Sequence, residues 1–363
     1  MADPERPLLD LATPTDIHVV GIGGAGMSAI ATVLAAMGHR VSGSDLKDSR
    51  AVERLRAQGI RVGVGHEPEH LGSAAVVAVS TAIRETNPEV VEARERGVPV
   101  LRRSEVMAAL TAVTSTVSVA GTHGKTTTSS MLAMLMLEAG LEPSFIIGGD
   151  VHQVGSGAVW ADGRWFVVEA DESDGTFLEL DTTVAMVTNI EPDHLSHYGS
   201  ERELNEAFAR FMAGAREAVV ACSDDPLVRQ LVTSLPEERA VITYGLEPGA
   251  DLRLVDLVED RDGSRFTVER AGRSLGAVEL PVPGRHNALN ALGALAAGLH
   301  LGASFADAAA ALARFGGVAR RFERRGVVDD IPLIDDYAHL PSEIAAALDA
   351  GRAGGWKTQT TRS

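Results

Sequence analysis

Lysine is scarce in this chain: among 363 residues only Lys47, Lys125 and Lys357 occur. Positive charge therefore rests on arginine, and 33 basic against 50 acidic residues leave a formal charge of −17. So acidic a surface repels phosphate backbones and anionic lipid headgroups, which argues against nucleic-acid and membrane partners. A nucleotide remains admissible, because a small site can be locally positive on an acidic protein. Cysteine is nearly absent as well. Cys222 stands alone, which excludes an intrachain disulfide framework and fits a reducing compartment. Aromatics make up only 4% of a chain that is 45% apolar, so the cores must be filled by Ala, Val, Leu and Ile. No run of about 18 apolar residues occurs; the Ala-rich stretch after Asn287 is interrupted by Asn290, Gly293, Gly298 and His300. The opening MADPERPLLDLATPT has no basic start leading into a long apolar run, so no secretory signal is read there. The expectation is a soluble cytoplasmic protein of two domains with part of a third.

Short apolar runs alternate with helical patterns through the first hundred residues. IHVVGIGG reads as a buried strand entering a glycine turn, AGMSAIATVLAAMG as a helix ended by Gly38, HRVSGSD as a strand, SRAVERLRAQG as a helix and AAVVAVS as a strand. That rhythm predicts βαβ units and a parallel sheet. A second series begins at Ser115 with the strand STVSVAG and the helix KTTTSSMLAMLMLEAG, Gly140 lying just past the helix end. RWFVVEAD and AMVTNIEPDH follow as strands running into polar loops. Between residues 251 and 283 the alternation of DLRLVDLVED, SRFTVERAG and SLGAVELPV predicts an antiparallel insertion on the central sheet. Helices are expected over 287–301 and 305–315, and VVDDIPLIDDYAHLPSEIAAALDAG opens a further unit with one strand, a loop and a helix.

GTHGKTTT follows an apolar β-branched strand and opens a helix, the setting a phosphate loop requires. Backbone amides at a helix N-terminus face the phosphates and the helix dipole favours their charge. Lys125 can reach the terminal phosphates and the Thr126 hydroxyl can ligate magnesium. The common loop pattern has glycine where this chain has Val119, but Lys125 is the only lysine between positions 48 and 356. EADESD, residues 169–174, ends a strand, so its carboxylates point into the crevice where open α/β sheets bind ligands. Glu169 suits magnesium, and an acidic helix start is the alternative reading. NIEPDHLSHY brings Glu191, Asp193, His194 and His197 to the same edge; without thiolates the set is mostly oxygen, which disfavours zinc. GIGGAGMS, with Asp45 nineteen residues past Gly26, is a diphosphate-type glycine turn that suits a dinucleotide or a UDP-sugar. In GRHNALNALGA, Asn287 and Asn290 share one helix face, either against an adenine edge or as helix caps. In RRFE, Arg320 and Arg321 supply fixed positive charge, for a phosphate in transfer or simply for an exposed surface.

Together these strings resemble the Mur ligase family of amino-acid-adding enzymes over residues 17 to about 350. The resemblance implies an α/β fold with a Rossmann-like parallel-sheet domain over 1–112 and a central phosphate-loop ATPase domain over 113–325 carrying the small antiparallel insertion. A third Rossmann-like domain, for the amino acid, would only begin over 326–363. It assigns Gly23, Gly24, Ala25, Gly26, Met27, Ser28 and Asp45 to a UDP-sugar, with His66 and Ser80 of the loop STAI. It assigns Gly121, Thr122, His123, Gly124, Lys125, Thr126 and Thr127 to ATP. It further places Asn287 and Asn290 near adenine, Asp336 near the ribose and Arg321 at the γ-phosphate. Thr126, Glu169 and His194 would hold magnesium. The implied reaction joins L-alanine to the carboxylate of UDP-N-acetylmuramate for peptidoglycan precursor synthesis. The carboxylate attacks the γ-phosphate, Lys125, Arg321 and Mg2+ neutralise the moving charge, and the amine then displaces phosphate. His194, holding the metal against the carboxylate, helps bring two anions together.

Three departures bear on this. Leu340 stands where a second histidine usually follows DDYAH, and no lysine near His194 is placed to be carbamylated, as in several relatives. The chain also ends in GGWKTQTTRS, on the order of 100 residues early for the family. The expectation is that nucleotide and UDP-sugar binding survive, that ligation is lost or severely impaired, and that an open sheet edge exposes an apolar patch and lowers solubility. An inactive UDP-sugar and ATP binder is the first alternative, and a dinucleotide-dependent oxidoreductase the second.

Overall fold

The structure, a computed structural model, describes residues 9–151, 154–329 and 331–355. The tail from residue 356, with Lys357, lies outside the described residues. Strands β1 (Asp16–Val20), β2 (Arg40–Asp45), β3 (Arg61–Val64), β4 (Val76–Val79) and β5 (Val100–Arg102) form an all-parallel sheet in the order β3-β2-β1-β4-β5. The order reverses beside β1, so the glycine turn after β1 opens into the crevice at the carboxyl ends of the strands.

The second sheet takes β6 (Ser115–Ala120), β7 (Ser144–Val151), β8 (Ser156–Val159), β9 (Trp165–Glu169), β10 (Val184–Val187), β11 (Ala218–Cys222) and β12 (Ala240–Gly245). The meander β13 (Leu252–Asp260), β14 (Gly263–Arg270) and β15 (Arg273–Leu280) extends it. The ten strands run β15-β14-β13-β12-β11-β10-β6-β9-β7-β8. The meander pairs antiparallel at one edge and β8 pairs antiparallel with β7 at the other. Between them, β9-β6-β10 are parallel neighbours. Three segments far apart in sequence, GTHGKTTT, EADESD and NIEPDH, thus leave the sheet side by side.

Helix Lys125–Glu138 is buried on every side from Thr126 to Met136. An amphipathic surface helix would show one polar face; this one lies between the sheet and the small-residue helix Arg285–His300, against Phe305–Leu312. Met131, Leu132, Leu135 and Met136 lose all exposure there, each worth roughly 1.5–3 kcal/mol by burial.

The unit after residue 322 differs from the single strand expected. β16 (Glu323–Val328) and β17 (Ile331–Asp335) form an antiparallel ribbon, and helix Pro341–Ala353 follows. Val327, Val328, Ile331 and Leu333 on that ribbon are exposed. The two strands are mostly exposed or half-buried, so their residues do not alternate in the way that makes a strand pair legible. Among the described residues no helix is long and apolar enough to cross a membrane.

Candidate active site

The phosphate loop is shaped by two glycines and one asparagine. Gly121 has φ +136, and a Cβ there would lie 2.1 Å from the Thr188 hydroxyl. Gly124 has φ +81, and its Cβ would lie 2.5 Å from Asn290 Oδ1. Both positions combine a backbone that favours glycine with no room for a side chain. Asn189 closes the loop: its carbonyl accepts from the Thr122 amide at 3.0 Å, its Oδ1 from the His123 amide at 2.8 Å, and its Nδ2 donates to His123 O at 3.1 Å. The Thr122 and His123 amides are therefore committed within the protein. The amides of Lys125, Thr126 and Thr127, the first of the helix, have no intrahelical acceptor and form the anion-facing set.

Lys125 Nζ donates to Gly121 O at 2.6 Å and to Glu172 Oε1 at 2.8 Å. Glu172 is 3% exposed, and burial pushes its carboxyl up while Lys125 pulls it down. Asp171 lies lower. Burial opposes its ionisation, but the Ser173 amide and hydroxyl and the charges of Lys125 and Arg103 hold it below the usual range. Thr126 Oγ1 donates to Glu169 Oε1 at 2.9 Å, and the other Glu169 oxygen accepts from the Gly148 amide at 2.7 Å. A small cavity of about 90 Å³ gathers Lys125, Thr126, Glu172, His194 and Arg321. His194 adopts φ +52 and its Nε2 lies 3.2 Å from Asp193 Oδ2.

A larger cavity of about 380 Å³ adjoins it and shares His123, Gly124, Thr126 and Arg321. Asn287, Asn290 and Asp336 line this one. Neither asparagine caps the helix: the N-cap is Gly284, without a side-chain bond. Asn287 Nδ2 instead donates to Pro283 O at 2.7 Å, and Asn290 packs against Gly124. Arg321 sits between Arg320 and Phe322, both with positive φ, a strained backbone that its surroundings must hold. Asp336 does so, accepting from the Phe322 amide at 2.7 Å and the Ala338 amide at 2.8 Å.

At the first glycine turn, Gly21 and Ile22 donate to Ser44 O at 2.8 and 3.0 Å. Asp45 Oδ2 accepts from the Gly23 amide at 2.9 Å and its Oδ1 from Lys47 at 3.1 Å. Ser28 uses both donors inside the helix, its amide on Gly24 O and its hydroxyl on Ala25 O. Met27 is buried, so only its backbone can reach a ligand. The amides left facing the crevice are those of Ala25, Gly26 and Met27. Ser80 borders the turn, its hydroxyl 3.4 Å from the Cβ position of Gly21. His66 Nδ1 lies 2.9 Å from the Ser44 hydroxyl and 3.4 Å from Glu89, a fully buried carboxylate that also meets His18 and His70.

The pattern described as "Mur ligase family, catalytic domain" matches residues 16–114, and "Mur ligase middle domain" matches residues 119–298. The chain belongs to the Mur ligase family. A UDP-N-acetylmuramate–L-alanine ligase of Bradyrhizobium diazoefficiens is 49% identical over 344 residues, covering 93% of this chain and 73% of that protein. The ligase of the same name from Clavibacter sepedonicus is 47% identical over 349 residues, covering 95% and 72%. Among solved structures, the UDP-N-acetylmuramate-alanine ligase of Thermotoga maritima superposes with a TM-score of 0.81 at 32% identity, covering 94% of this chain and 78% of that one. A murein peptide ligase of Psychrobacter arcticus gives 0.78 at 27% identity, covering 93% and 76%.

In this Mur ligase the dinucleotide oxidoreductase reading has no support. Asp45 pins the first glycine turn to the end of β2, its two oxygens accepting from the Gly23 and Lys47 amides. The fold also brings to the site residues that the sequence motifs did not single out. Asn189 lay inside NIEPDH, yet its pairing with residues 122–123 depends on β6 and β10 being neighbours. Glu172 lay inside EADESD, and its partnership with Lys125 likewise crosses strands. Glu343 and Ser342, which meet His123 from helix Pro341–Ala353, carried no local signal.

Proposed function

We propose that this chain activates the carboxylate of UDP-N-acetylmuramate with ATP and joins it to L-alanine, the reaction named for its relatives from Bradyrhizobium and Clavibacter. The observation that carries this reading is the pair of adjoining cavities: one large enough for a nucleoside, the other lined by Lys125, Thr126, His194 and Arg321. ATP lies with its base and ribose against Asn287, Asn290 and Asp336, and its phosphates run along the amides of Lys125, Thr126 and Thr127 toward the small cavity. Lys125 turns from Glu172 to the terminal phosphates, and Arg321 faces the same group from the opposite segment. In-line attack by the muramyl carboxylate yields an acyl phosphate and ADP; the neutral amine of L-alanine then adds to the acyl carbon and phosphate departs.

Thr126, Glu169 and His194 suit magnesium, which takes few protein ligands and completes its shell with phosphate oxygens and water. Among the described residues no group of three or more His, Cys, Asp or Glu is arranged to hold a metal ion by itself, and the hydroxyl–carboxylate pair of Thr126 and Glu169 is the hard-donor set that magnesium prefers. Bound there, Mg2+ would offset phosphate charge as it moves. The UDP portion occupies the first glycine turn, with Ala25, Gly26 and Met27 offering amides and His66 and Ser80 at the rim. On this reading residues 1–112 hold the sugar nucleotide, 113–325 hold ATP, and 326–363 belong to the amino-acid side, in the cytoplasm where all three substrates meet.

Phosphate release with UDP-N-acetylmuramate, magnesium-ATP and L-alanine tests the reading. The expected result is release that needs all three, with UDP-N-acetylglucosamine inactive because it lacks the carboxylate. Release indifferent to the muramyl group would overturn the proposal. Binding of both nucleotides without release would leave the chain a binder only.

A further inference from the structure

Arg103 opens helix Arg103–Ala112, the link between the two sheets, and its guanidinium comes to rest on the first glycine turn. A Cβ built on Gly26 would lie 3.0 Å from Arg103 Nε and 3.3 Å from its Cζ. That Nε is buried and has no hydrogen-bond partner among the described residues. A buried guanidinium N–H without an acceptor costs free energy that most structures avoid. Its charge reaches the Asp171 carboxyl, which it helps hold down together with Ser173 and Lys125. The unmet donor therefore stands beside Gly26, whose amide and those of Ala25 and Met27 are the free ones of the turn. A diphosphate there would supply the missing acceptor, and its charge suits a guanidinium better than any other side chain.

We propose that Arg103 binds the diphosphate of the sugar nucleotide, and that residue 26 is glycine because a side chain would displace that guanidinium. The inference rests on the reading that the first glycine turn takes a UDP-sugar. On a chain of net charge −17 a fixed cation beside the turn offsets phosphate charge locally.

The test is calorimetric binding of uridine, UDP and UDP-N-acetylmuramate to the full chain and to Arg103→Gln, Arg103→Lys and Gly26→Ala. Arg103→Gln is expected to weaken UDP and UDP-N-acetylmuramate about tenfold or more while uridine changes less than about twofold. Arg103→Lys keeps the charge and loses the fork, so it recovers part of the affinity. Gly26→Ala, in a helical turn that tolerates alanine, keeps the unfolding temperature but copies the loss for UDP. Equal losses for uridine and UDP would make Arg103 merely structural and overturn the assignment. A loss confined to UDP-N-acetylmuramate would move the contact to the muramyl carboxylate and also overturn it. Failure of the unaltered chain to bind UDP at all would instead sink the functional reading on which the inference stands.

Discussion

Helix Pro341–Ala353 meets the phosphate loop through one imidazole, and that contact is open to titration. His123 Nδ1 lies 3.1 Å from Glu343 Oε1, and its Nε2 lies 3.2 Å from both Glu191 Oε2 and the Ser342 hydroxyl. Ser342 donates to Glu191 at 2.7 Å, while the His339 and Leu340 amides donate to the other Glu343 oxygen. Burial acts to raise Glu343, but His123 and the two amides bring it down from 4.5 to about 2. Burial acts to lower His123, but Glu343 and Glu191 raise it above 6.5. The fall in Glu343 corresponds to about 3 kcal/mol for the carboxylate in all its contacts. The amides share that sum, so the His123 part is about 1–2 kcal/mol. Glu343, depressed, adds stability that is complete above 4.5 and lost as pH falls toward 2. His123, raised, adds stability that is complete below 6.5 and lost as pH climbs through its higher folded value. Docking of this helix is therefore strongest between pH 4.5 and 6.5. Amide hydrogen exchange, corrected for intrinsic rates, reads it directly. Protection across residues 341–353 is expected to fall above that window, and Glu343→Gln to lower it about 5- to 30-fold within the window and flatten the profile. A pH-independent protection in the unaltered chain, unchanged by Glu343→Gln, would refute the reasoning.

Lys125→Met leaves Glu172 a buried carboxylate without its ammonium, so urea unfolding is expected to show a loss of about 3–5 kcal/mol. Adding Glu172→Gln restores most of that stability but not ADP formation; recovery of both would remove Lys125 from the chemistry. Gly124→Ala sets a methyl 2.5 Å from Asn290 Oδ1 at φ +81. It is expected to cost about 1–3 kcal/mol and weaken ATP binding at least about tenfold in a fluorescent-nucleotide titration. Asp336→Ala releases the Phe322 and Ala338 amides and with them the strained backbone at Arg321. The kinetic result expected is a fall in kcat of about 10- to 100-fold with KM for ATP within a few-fold, and an unchanged kcat would show that Arg321 needs no such clamp.

The place of each motif at the end of a strand or the start of a helix was legible in the amino-acid sequence alone. An apolar β-branched run followed by GTHGKTTT can only be a strand entering a glycine-opened helix, and β6 with helix Lys125–Glu138 obeys. The same holds for β1 with its glycine turn, and for the alternating segments that became β13 to β15. These readings succeed because their causes are local: side-chain periodicity, glycine at positive φ, a helix start. Short, half-exposed strands such as β3 (Arg61–Val64) carry too few residues to show a period, and the ribbon β16–β17 buries too little to shape one.

What only the tertiary structure decided is which polar groups are spoken for. Sequence offered seven loop residues to ATP; the fold spends the Thr122 and His123 amides on Asn189, more than 60 residues away. It turns Asn287 back onto Pro283, makes Asp336 a clamp for Arg321, and leaves Arg103 Nε unmatched beside Gly26. Hydrogen-bond partners and close approaches of this kind are set by which strands lie side by side, and that order is a property of the packed sheet rather than of any one segment.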